Sequence, residues 1–227
     1  MSNDLEKQAA ARASLQFIKD GQVVGLGTGS TAAYFIQFLG ERVKAGLKVR
    51  GIPTSIHSQQ LAEKYGIPLT TLDEVDEIDV DIDGADEFDP QLNLIKGGGG
   101  ALLREKIVAS ASRKFVVVSD ASKQVPVLGR FPLPVEVVPF AQSLLTRKIT
   151  AMGATVSLRK AKDGTPYRTD EGHRILDCAF GQIKDPAALA NTLANMPGVV
   201  EHGLFIGMAD VVLIGKGSEV IEIQKRS

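Results

Sequence analysis

The sequence predicts an α/β protein made of two domains, and three observations lead to this prediction. A short apolar strand, a glycine-rich turn and a helix follow one another directly between residues 23 and 43. The run FVVV at 115–118 is apolar on both faces, as a central strand of a parallel sheet must be. Three prolines between residues 129 and 140 then mark a change of pattern, beyond which strands and helices alternate in a different order.

The first domain is predicted to be a doubly wound, Rossmann-like sheet. Apolar residues recur at four-residue spacing from Leu5 to Phe17, which predicts a helix over residues 4–20. A strand at 23–26, the turn GTGST and a helix over 32–43 come next, in the order that begins a doubly wound unit. The remaining elements alternate as that fold requires, with strands at 48–52, 78–83 and 114–118 and helices at 57–65 and 101–112.

A smaller, ferredoxin-like α/β domain is predicted after the prolines. Its elements follow the order βαββαβ and are expected at 134–138, 141–152, 154–159, 173–179, 185–195 and 198–204. Two further strands, at 209–215 and 220–223, are expected to return to the first sheet. We therefore predict a Rossmann-like domain of residues 1–130 and 206–227, with the smaller domain of residues 131–205 inserted in it.

Composition narrows the classes of partner. The 227 residues are 44% hydrophobic and 23% charged, with a formal net charge of −1, which predicts no attraction to nucleic acid or to an anionic membrane. Cys178 is the single cysteine, so neither a disulfide within the chain nor a cysteine-rich metal site is expected. No apolar run approaches the ~20 residues that span a bilayer, and the N-terminus has no apolar signal region. We expect a cytoplasmic protein.

The turn GTGST at 27–31 is the first candidate site. A helix N-terminus there would offer unpaired N–H groups to a phosphate, and Thr28, Ser30 and Thr31 add hydroxyl groups. The spacing excludes a dinucleotide fingerprint, because Ser30 or Ala32 stands where the third glycine of G-x-G-x-x-G would be. A tight turn with Ser30 or Thr31 as a helix N-cap is the structural alternative. The three hydroxyl groups favour the phosphate.

The second candidate is the acidic segment DVDIDGADEFD at 79–89. Acidic and apolar residues alternate up to Asp83, which predicts a strand with one acidic face that ends where ligands bind in open α/β sheets. Gly84 permits a sharp turn that would bring Asp86 and Glu87 back toward the same edge. We interpret Asp83 and Asp86 as site residues, and the other aspartates of the segment as a solvated acidic edge, namely Asp79, Asp81 and Asp89.

Four successive glycines at 97–100 form the third candidate, with Lys96 before them and Arg104, Glu105 and Lys106 after them. Such a turn lets a ligand approach the backbone next to a helix N-terminus. The three charged residues span about 200° of the helix, so at least one should point inward, since residues 103, 107, 108 and 109 must be buried on the same helix. A carboxylate held there would have a raised pKa, which suits a general base.

Few other positions suggest chemistry. Lys123 follows the strand 114–118 and could reach a phosphate or a sugar hydroxyl, although a solvated loop lysine is the commoner case. The three histidines, at positions 57, 173 and 202, match no metal-ligand spacing and are interpreted as structural or surface residues. Cys178 is interpreted as a small core residue.

These motifs together resemble the type A ribose-5-phosphate isomerase family. The resemblance rests on GLGTGST (25–31), DGADE (83–87), KGGGGALLREK (96–106), SDASK (119–123) and FPLPVEV (131–137), and it continues to the C-terminus through PGVVEHGLF (197–205) and ADVVLIG (209–215). One departure is Phe88, where an aliphatic residue is more usual in the family.

The resemblance implies interconversion of D-ribose 5-phosphate and D-ribulose 5-phosphate in the pentose phosphate pathway, without metal or organic cofactor. It implies that Glu105 is the proton acceptor. From the chemistry of such an isomerisation we further expect Lys96 to stabilise the charge on the carbonyl oxygen, and Asp83 and Asp86 to move protons among the sugar oxygens. It also implies a homodimer, with a homotetramer as the alternative. The implied substrate-binding residues are Thr28, Gly29, Ser30, Thr31, Asp83, Gly84, Ala85, Asp86, Lys96, Gly97, Gly98, Gly99 and Lys123.

Three rivals are weaker. A sugar-phosphate sensor would need a DNA-binding module, and about 20 residues before the first strand are too few for a helix-turn-helix. An amino-sugar phosphate deaminase or a lactonase would need a histidine-centred acid–base set, which the motifs lack. A dinucleotide-dependent oxidoreductase fails on the glycine spacing given above.

Overall fold

The computed structural model describes residues 2–225, which form six α-helices joined by strands and turns. The helices are α1 (Ser2–Ser14), α2 (Ser30–Lys44), α3 (Ile56–Tyr65), α4 (Leu102–Ser110), α5 (Gln142–Ala151) and α6 (Pro186–Ala194). The predicted first helix, 4–20, is too long at its C-terminal end, because α1 stops at Ser14 and a 3-10 turn (Leu15–Phe17) follows. Two further 3-10 turns cover Ala121–Lys123 and Pro139–Ala141.

The strands, in chain order, number thirteen over the described residues. They are β1 (Val23–Leu26), β2 (Arg50–Pro53), β3 (Val80–Asp83), β4 (Glu87–Phe88), β5 (Leu94–Ile95), β6 (Phe115–Asp120), β7 (Leu133–Val137), β8 (Thr155–Leu158), β9 (Arg174–Ala179), β10 (Val199–His202), β11 (Leu204–Phe205), β12 (Val211–Lys216) and β13 (Glu219–Gln224).

By compactness the chain divides into two units. The first comprises Met1–Ala85, Arg104–Gln124 and Met208–Ser227, and the second comprises Asp86–Leu103 and Val125–Gly207. The second unit takes in residues 86–103, which the sequence-based division placed in the first domain. The domain boundaries at residues 130/131 and 205/206 therefore stay a prediction. They lie close to two boundaries between the units, at 124/125 and 207/208.

The first unit contains a six-stranded sheet of the predicted Rossmann-like kind. Its order is β13-β12-β6-β3-β1-β2, and the five strands from β12 to β2 are parallel, while β13 is an antiparallel edge. Strand β6 lies in the interior of the sheet and all of its residues are buried, as its apolar run predicts. The core on one face combines residues of α1 and α2 with Val24, Ile82 and Val118 of the central strands.

Strand β3 lies between β1 and β6, so the interpretation of Asp79 and Asp81 as a solvated acidic edge is wrong. Asp81 is completely buried, next to Gly25, whose missing side chain leaves room for the Asp81 carboxylate. Asp79 accepts a hydrogen bond from the backbone N–H of Val23, at 2.8 Å. Alternation identified the strand correctly, but an acidic face can be covered by neighbouring elements as well as by water.

The second unit contains a four-stranded antiparallel sheet of order β10-β7-β9-β8. The elements from β7 to β10 follow the predicted order βαββαβ. Helices α5 and α6 contribute Leu145 and Leu193 to a core with Leu133, Val135 and Leu176 of the sheet, and all five side chains are completely buried. The alternation of apolar residues along β7 and β9 therefore places one face of this sheet against its helices.

A small three-stranded sheet, of order β11-β5-β4, also belongs to the second unit and was not predicted. Glu87 of β4 is completely buried, and its carboxylate accepts hydrogen bonds from the N–H groups of Gly129 (2.8 Å) and Phe131 (2.7 Å). Asp89 is also buried rather than solvated, and it accepts from the N–H groups of Gln91 and Asn93, each at 2.9 Å.

Replacing Glu87 tests whether its hydrogen bonds to Gly129 and Phe131 stabilise the fold. Glu87→Ala leaves two backbone donors without their acceptor in a buried place, so we expect the free energy of unfolding to fall by about 2–5 kcal/mol. Glu63→Ala, at an exposed position of α3, should change it by less than about 0.5 kcal/mol. Urea unfolding measures both, and equal effects of the two substitutions would show that the Glu87 hydrogen bonds do not stabilise the fold.

Glu136 of β7 gives the stability of the chain a pH dependence. Burial raises the pKa of this carboxyl, against the opposing effects of hydrogen bonds from Thr169 and His173. The folded protein then binds this proton more tightly than the unfolded chain, so the free energy of unfolding should fall as pH rises from about 4.5 through the raised pKa. The decline should disappear in Glu136→Gln but persist in the exposed Glu219→Gln, when all three proteins are unfolded in urea between pH 4 and 8. Parallel curves for wild type and Glu136→Gln would contradict this assignment.

Candidate active site

Three turns of the first unit follow neighbouring strands of its sheet at their carboxyl ends. Residues 27–29 follow β1, residues 84–85 follow β3, and the 3-10 turn 121–123 follows β6. The strand order reverses between β1 and β3, because β2 lies on one side of β1 and the later strands on the other. Ligands of open α/β sheets bind at such a reversal, outside the carboxyl ends of the strands.

The turn before α2 leaves the helix N-terminus open. Helix α2 begins at Ser30 with Gly29 (φ 110°) as the N-cap residue, and no side chain caps it, so neither Ser30 nor Thr31 has the capping role of the structural alternative. Gly29 and Ser30 are exposed and Thr31 is buried. The Thr28 hydroxyl lies 2.7 Å from the Thr54 hydroxyl oxygen. The first N–H groups of α2 thus lie beside side-chain hydroxyls, an arrangement suited to an anion.

The Asp83 carboxylate is buried at the end of β3 and is held by its neighbours. Its Oδ1 atom accepts hydrogen bonds from the backbone N–H groups of Thr28 (2.9 Å) and Gly84 (2.6 Å). A side chain at Gly27 would overlap this carboxylate, so only glycine fits there. A side chain at Gly84 would lie in ordinary contact with the carbonyl oxygens of Thr28 and Val118, and both Gly84 and Ala85 are half-buried. The turn after β1 and the turn after β3 are therefore joined through one carboxylate.

Glu105 lies in the first turn of α4 and is 4% exposed. It is the buried member of the charged run, since Arg104 and Lys106 on either side are both half-buried. At least one of these charges was expected to point inward, and Glu105 does. The expectation that residues 103 and 107 are buried is wrong, because Leu103 is half-buried and Ile107 is 43% exposed, while Leu102 is completely buried. The apolar face of this short helix is therefore rotated from the predicted one.

Lys123 ends the 3-10 turn after β6 and is half-buried. The turn begins at Asp120, whose carboxylate accepts a hydrogen bond from the Ser122 N–H at 3.0 Å and also contacts the Ser122 hydroxyl. The first unit thus holds the predicted site residues of three turns and one helix, namely Thr28, Gly29, Ser30, Thr31, Asp83, Gly84, Ala85, Glu105 and Lys123.

The second unit holds the remaining predicted site residues, and it brings Asp86 against the glycine turn. The Asp86 carboxylate accepts a hydrogen bond from the Gly98 N–H at 2.7 Å, and a side chain at Gly98 would lie 2.5 Å from it. Gly98 and Gly99 are exposed, whereas Gly97 (φ 101°) is buried against Leu102. The four glycines therefore serve two purposes, close approach to a carboxylate and an exposed stretch of backbone.

Lys96 is 2% exposed, which is uncommon for a lysine. Its backbone N–H donates to the Gly203 carbonyl at 2.9 Å, and its ammonium nitrogen lies 5.4 Å from the centre of the Phe205 ring. The small sheet of β4, β5 and β11 therefore fixes the position of Lys96, which directly follows β5. An ammonium group in a buried place can stabilise a negative charge that develops near it.

Sequence reasoning missed two residues that contact the glycine turn, Arg159 and Tyr167, and a third, Asp177, that contacts Arg159. Arg159 donates to the carbonyls of Gly97 (2.8 Å) and Gly98 (3.1 Å), and it is paired with Asp177. Tyr167 packs where a side chain at Gly100 would lie. No motif marks these residues, which lie in the connection between β8 and β9 and on β9 itself. Their separation from the glycines, of about 60 residues or more, gave no signal in the sequence.

The residues interpreted as structural are mostly buried or bonded to neighbours. Burial raises the pKa of the Cys178 thiol to about 12, which keeps it protonated. His173 contacts Glu136, and His202 is 6% exposed. Over residues 2–225, no three His, Cys, Asp or Glu side chains are grouped so that they could hold a metal ion. The helices described here include none that is long and apolar enough to cross a membrane.

Comparison with known proteins agrees with the motifs. The family model described as Ribose 5-phosphate isomerase A (phosphoriboisomerase A) matches residues 50–219. The Ribose-5-phosphate isomerase A of Bradyrhizobium diazoefficiens is 54% identical, over 98% of this chain and 97% of that protein. The solved ribose 5-phosphate isomerase A of Methanocaldococcus jannaschii is 45% identical with a TM-score of 0.93, over 98% and 99% of the two chains. A D-ribose-5-phosphate isomerase solved with phospho-erythronic acid gives 0.96 at 42% identity, over 99% of this chain and 100% of the other.

The fold and these relatives define an aldose–ketose isomerase that acts on a sugar phosphate. The chain belongs to the ribose 5-phosphate isomerase A family. It interconverts ribose 5-phosphate and ribulose 5-phosphate, the reaction of that family. The resemblance, the fold class and the class of enzyme predicted from the sequence are confirmed. The relatives do not support the alternatives of a sensor, a deaminase, a lactonase or an oxidoreductase.

The close contact between Gly98 and Asp86 yields a test. Gly98→Ala places a methyl group against the Asp86 carboxylate, so the carboxylate or the turn must shift, and we expect kcat/KM for ribose 5-phosphate to fall about tenfold or more. Gly164→Ala is the control, because Gly164 has a positive φ in an exposed turn but no atom near its missing side chain. Steady-state kinetics that are unchanged in Gly98→Ala would show that the turn tolerates displacement.

Proposed function

We propose that Glu105 is the single base of the isomerisation and moves one proton between C2 and C1 of the sugar. The burial of Glu105 in the first turn of α4, between two less buried charged neighbours, is the observation that supports this role most directly. One carboxylate can serve both carbons, because they are adjacent and the proton leaves one and returns to the other on the same face of the intermediate.

The electron movements follow from the substrate. Glu105 takes the proton from C2 of the open-chain aldose, the C2–H electron pair forms the C1–C2 double bond, and the carbonyl pair moves to O1 to give an enediolate. A proton then leaves O2 and one is gained at O1. The carbonyl forms at C2 as the double-bond pair takes the proton from Glu105 at C1, which gives the ketose. Each proton that leaves one atom is returned to another, so the reaction needs no external oxidant.

The enediolate oxygen needs a stabilising partner, since a carbon acid next to a carbonyl is weak. We assign this role to Lys96, supported by its 2% exposure, and to the N–H group of the exposed Gly99. Asp83 and Asp86 are proposed to transfer protons among O1, O2 and the ring oxygen, which includes opening of the furanose. Supporting this, both carboxylates are held by backbone N–H groups, which fixes their direction.

The phosphate is assigned to the turn that begins α2. Support comes from the uncapped helix N-terminus, the exposure of Gly29 and Ser30, and the hydroxyls of Thr28 and Thr31. Lys123, at the carboxyl end of β6, is proposed as a further contact of the sugar phosphate. Gly84 and Ala85 complete the substrate-binding turn after β3, and Gly97 completes the glycine turn. The phospho-erythronic acid bound in the relative is a sugar-acid phosphate, which fits the same set of groups.

A homodimer is the proposed assembly, with a homotetramer as the alternative, and the cytoplasm is the proposed compartment. The fully exposed Phe140, in the 3-10 turn before α5, supports self-association, since Leu144 of α5, four residues further along the chain, is also exposed. The compartment is supported by the substrate, because charged sugar phosphates are retained inside the cell.

Glu105→Gln tests the base. The amide keeps the size of the side chain but accepts no proton, so we expect kcat to fall by about two or more orders of magnitude in a buffer that contains EDTA. Glu63→Gln, the same chemical change at an exposed site, should retain wild-type turnover. Formation of ribulose 5-phosphate is measured for all three proteins. Equal activity of wild type and Glu105→Gln would mean that another group removes the proton.

A further inference from the structure

The glycine turn is held from behind by side chains that no motif includes. Arg159, which directly follows β8, donates one N–H group to the Gly97 carbonyl at 2.8 Å and to the Gly98 carbonyl at 3.1 Å. Tyr167 lies against the next peptide, where its hydroxyl is 3.4 Å from the Gly99 carbonyl. Gly100 (φ 84°) leaves the space that the Tyr167 ring occupies. Three consecutive carbonyls of the turn thus meet one short segment of the second unit.

Arg159 is itself fixed by Asp177 of β9. Its Nε–H donates to one carboxylate oxygen at 3.0 Å and a terminal N–H donates to the other at 2.5 Å, which is the two-point arrangement that arginine and a carboxylate favour. The pair is largely buried, with side-chain exposures of 14% and 22%. Asp177 pairs with Ser157 in the register of β8 and β9, so the sheet sets the position of the carboxylate.

The planarity of the peptide unit converts a fixed carbonyl into a fixed N–H group. In a trans peptide the C=O of one residue and the N–H of the next point in opposite directions and rotate together. Holding the Gly97 carbonyl therefore aims the Gly98 N–H, which donates to Asp86 at 2.7 Å. Holding the Gly98 carbonyl aims the Gly99 N–H away from Arg159. Glycine has few preferred backbone angles of its own, so these contacts decide the direction.

We propose that Arg159 and Asp177 are positioning residues of the isomerase, which hold the carbonyls of the glycine turn so that the Gly98 N–H points at Asp86 and the Gly99 N–H points at the substrate oxygen. Arg159 acts through the peptide units and Asp177 acts through Arg159. Neither needs to touch the sugar. The consequence for turnover rests on the proposed function, in which the Gly99 N–H stabilises the enediolate and Asp86 transfers protons, whereas the consequence for the backbone of the turn does not.

The test compares Arg159→Ala, Arg159→Lys, Asp177→Asn and the double variant Arg159→Ala/Asp177→Asn with wild type. Arg168→Ala is the matched control, since Arg168 is an exposed arginine beside Tyr167. Each protein is measured for melting temperature, for kcat and KM with ribose 5-phosphate, and for the hydrogen exchange of glycine N–H groups by NMR on protein labelled with 15N-glycine.

In Arg159→Ala we expect kcat to fall about 10- to 100-fold with KM changed less than about threefold, because the lost alignment matters most in the transition state. The exchange of the Gly98 and Gly100 N–H groups should become about tenfold faster. Arg159→Lys should recover only part of kcat, because an ammonium group lacks the planar fork. The double variant should resemble Arg159→Ala, because Asp177 acts through the same residue. Arg168→Ala should match wild type in every measurement.

Two results would overturn the proposal. One is wild-type exchange of the turn glycines in Arg159→Ala, and the other is equal loss of kcat in Arg168→Ala and Arg159→Ala. If exchange quickens in Arg159→Ala while its kcat stays at the wild-type value, the arginine holds the turn but the turn does not stabilise the enediolate, which contradicts the proposed function rather than the anchoring. If Arg159→Ala does not fold, Asp177→Asn gives the same readout of glycine exchange with nearly the same side-chain volume.

Discussion

The carboxylate of Asp83 is the constraint on which the candidate site of the first unit depends. It is completely buried at the end of β3 and accepts hydrogen bonds from the N–H groups of Thr28 and Gly84. This one carboxylate therefore fixes the turns that follow two neighbouring strands. Gly27 is required because a side chain there would fill the space of the carboxylate. A buried charge is costly unless it is well paired, and the backbone donors here supply the pairing while they shape the turn.

The same principle recurs in the second unit. Asp86 accepts a hydrogen bond from the Gly98 N–H, and Glu87 accepts hydrogen bonds from two N–H groups of the segment 129–131. In each case a carboxylate holds a loop by its backbone N–H groups, and in the glycine turn this leaves no side chain that would obstruct a ligand. A sugar phosphate offers many hydroxyl oxygens and one dianionic group, and exposed N–H groups can donate to both.

Much of the fold and of the candidate site could be predicted because several strands and turns are encoded by patterns of neighbouring residues. The alternation at 78–83 and the apolar run at 115–118 identified β3 and β6, and glycine turns identified where ligands can approach the backbone. What failed depends on distant partners. Nothing local distinguishes the buried Asp81 from a solvated aspartate, or predicts that two-residue strands at 94–95 and 204–205 will pair across more than a hundred residues. The contact of Arg159 with the glycine turn was missed for the same reason.

The isomerisation run in D2O tests the single-base account most directly. Proton NMR of the ribulose 5-phosphate formed from protiated ribose 5-phosphate gives the deuterium content of the two hydrogens at C1. We predict that deuterium enters only one of the two C1 positions, because a single carboxylate returns the proton, exchanged or not with solvent, to one face of the enediolate. Deuterium shared equally by both C1 positions would contradict a single base.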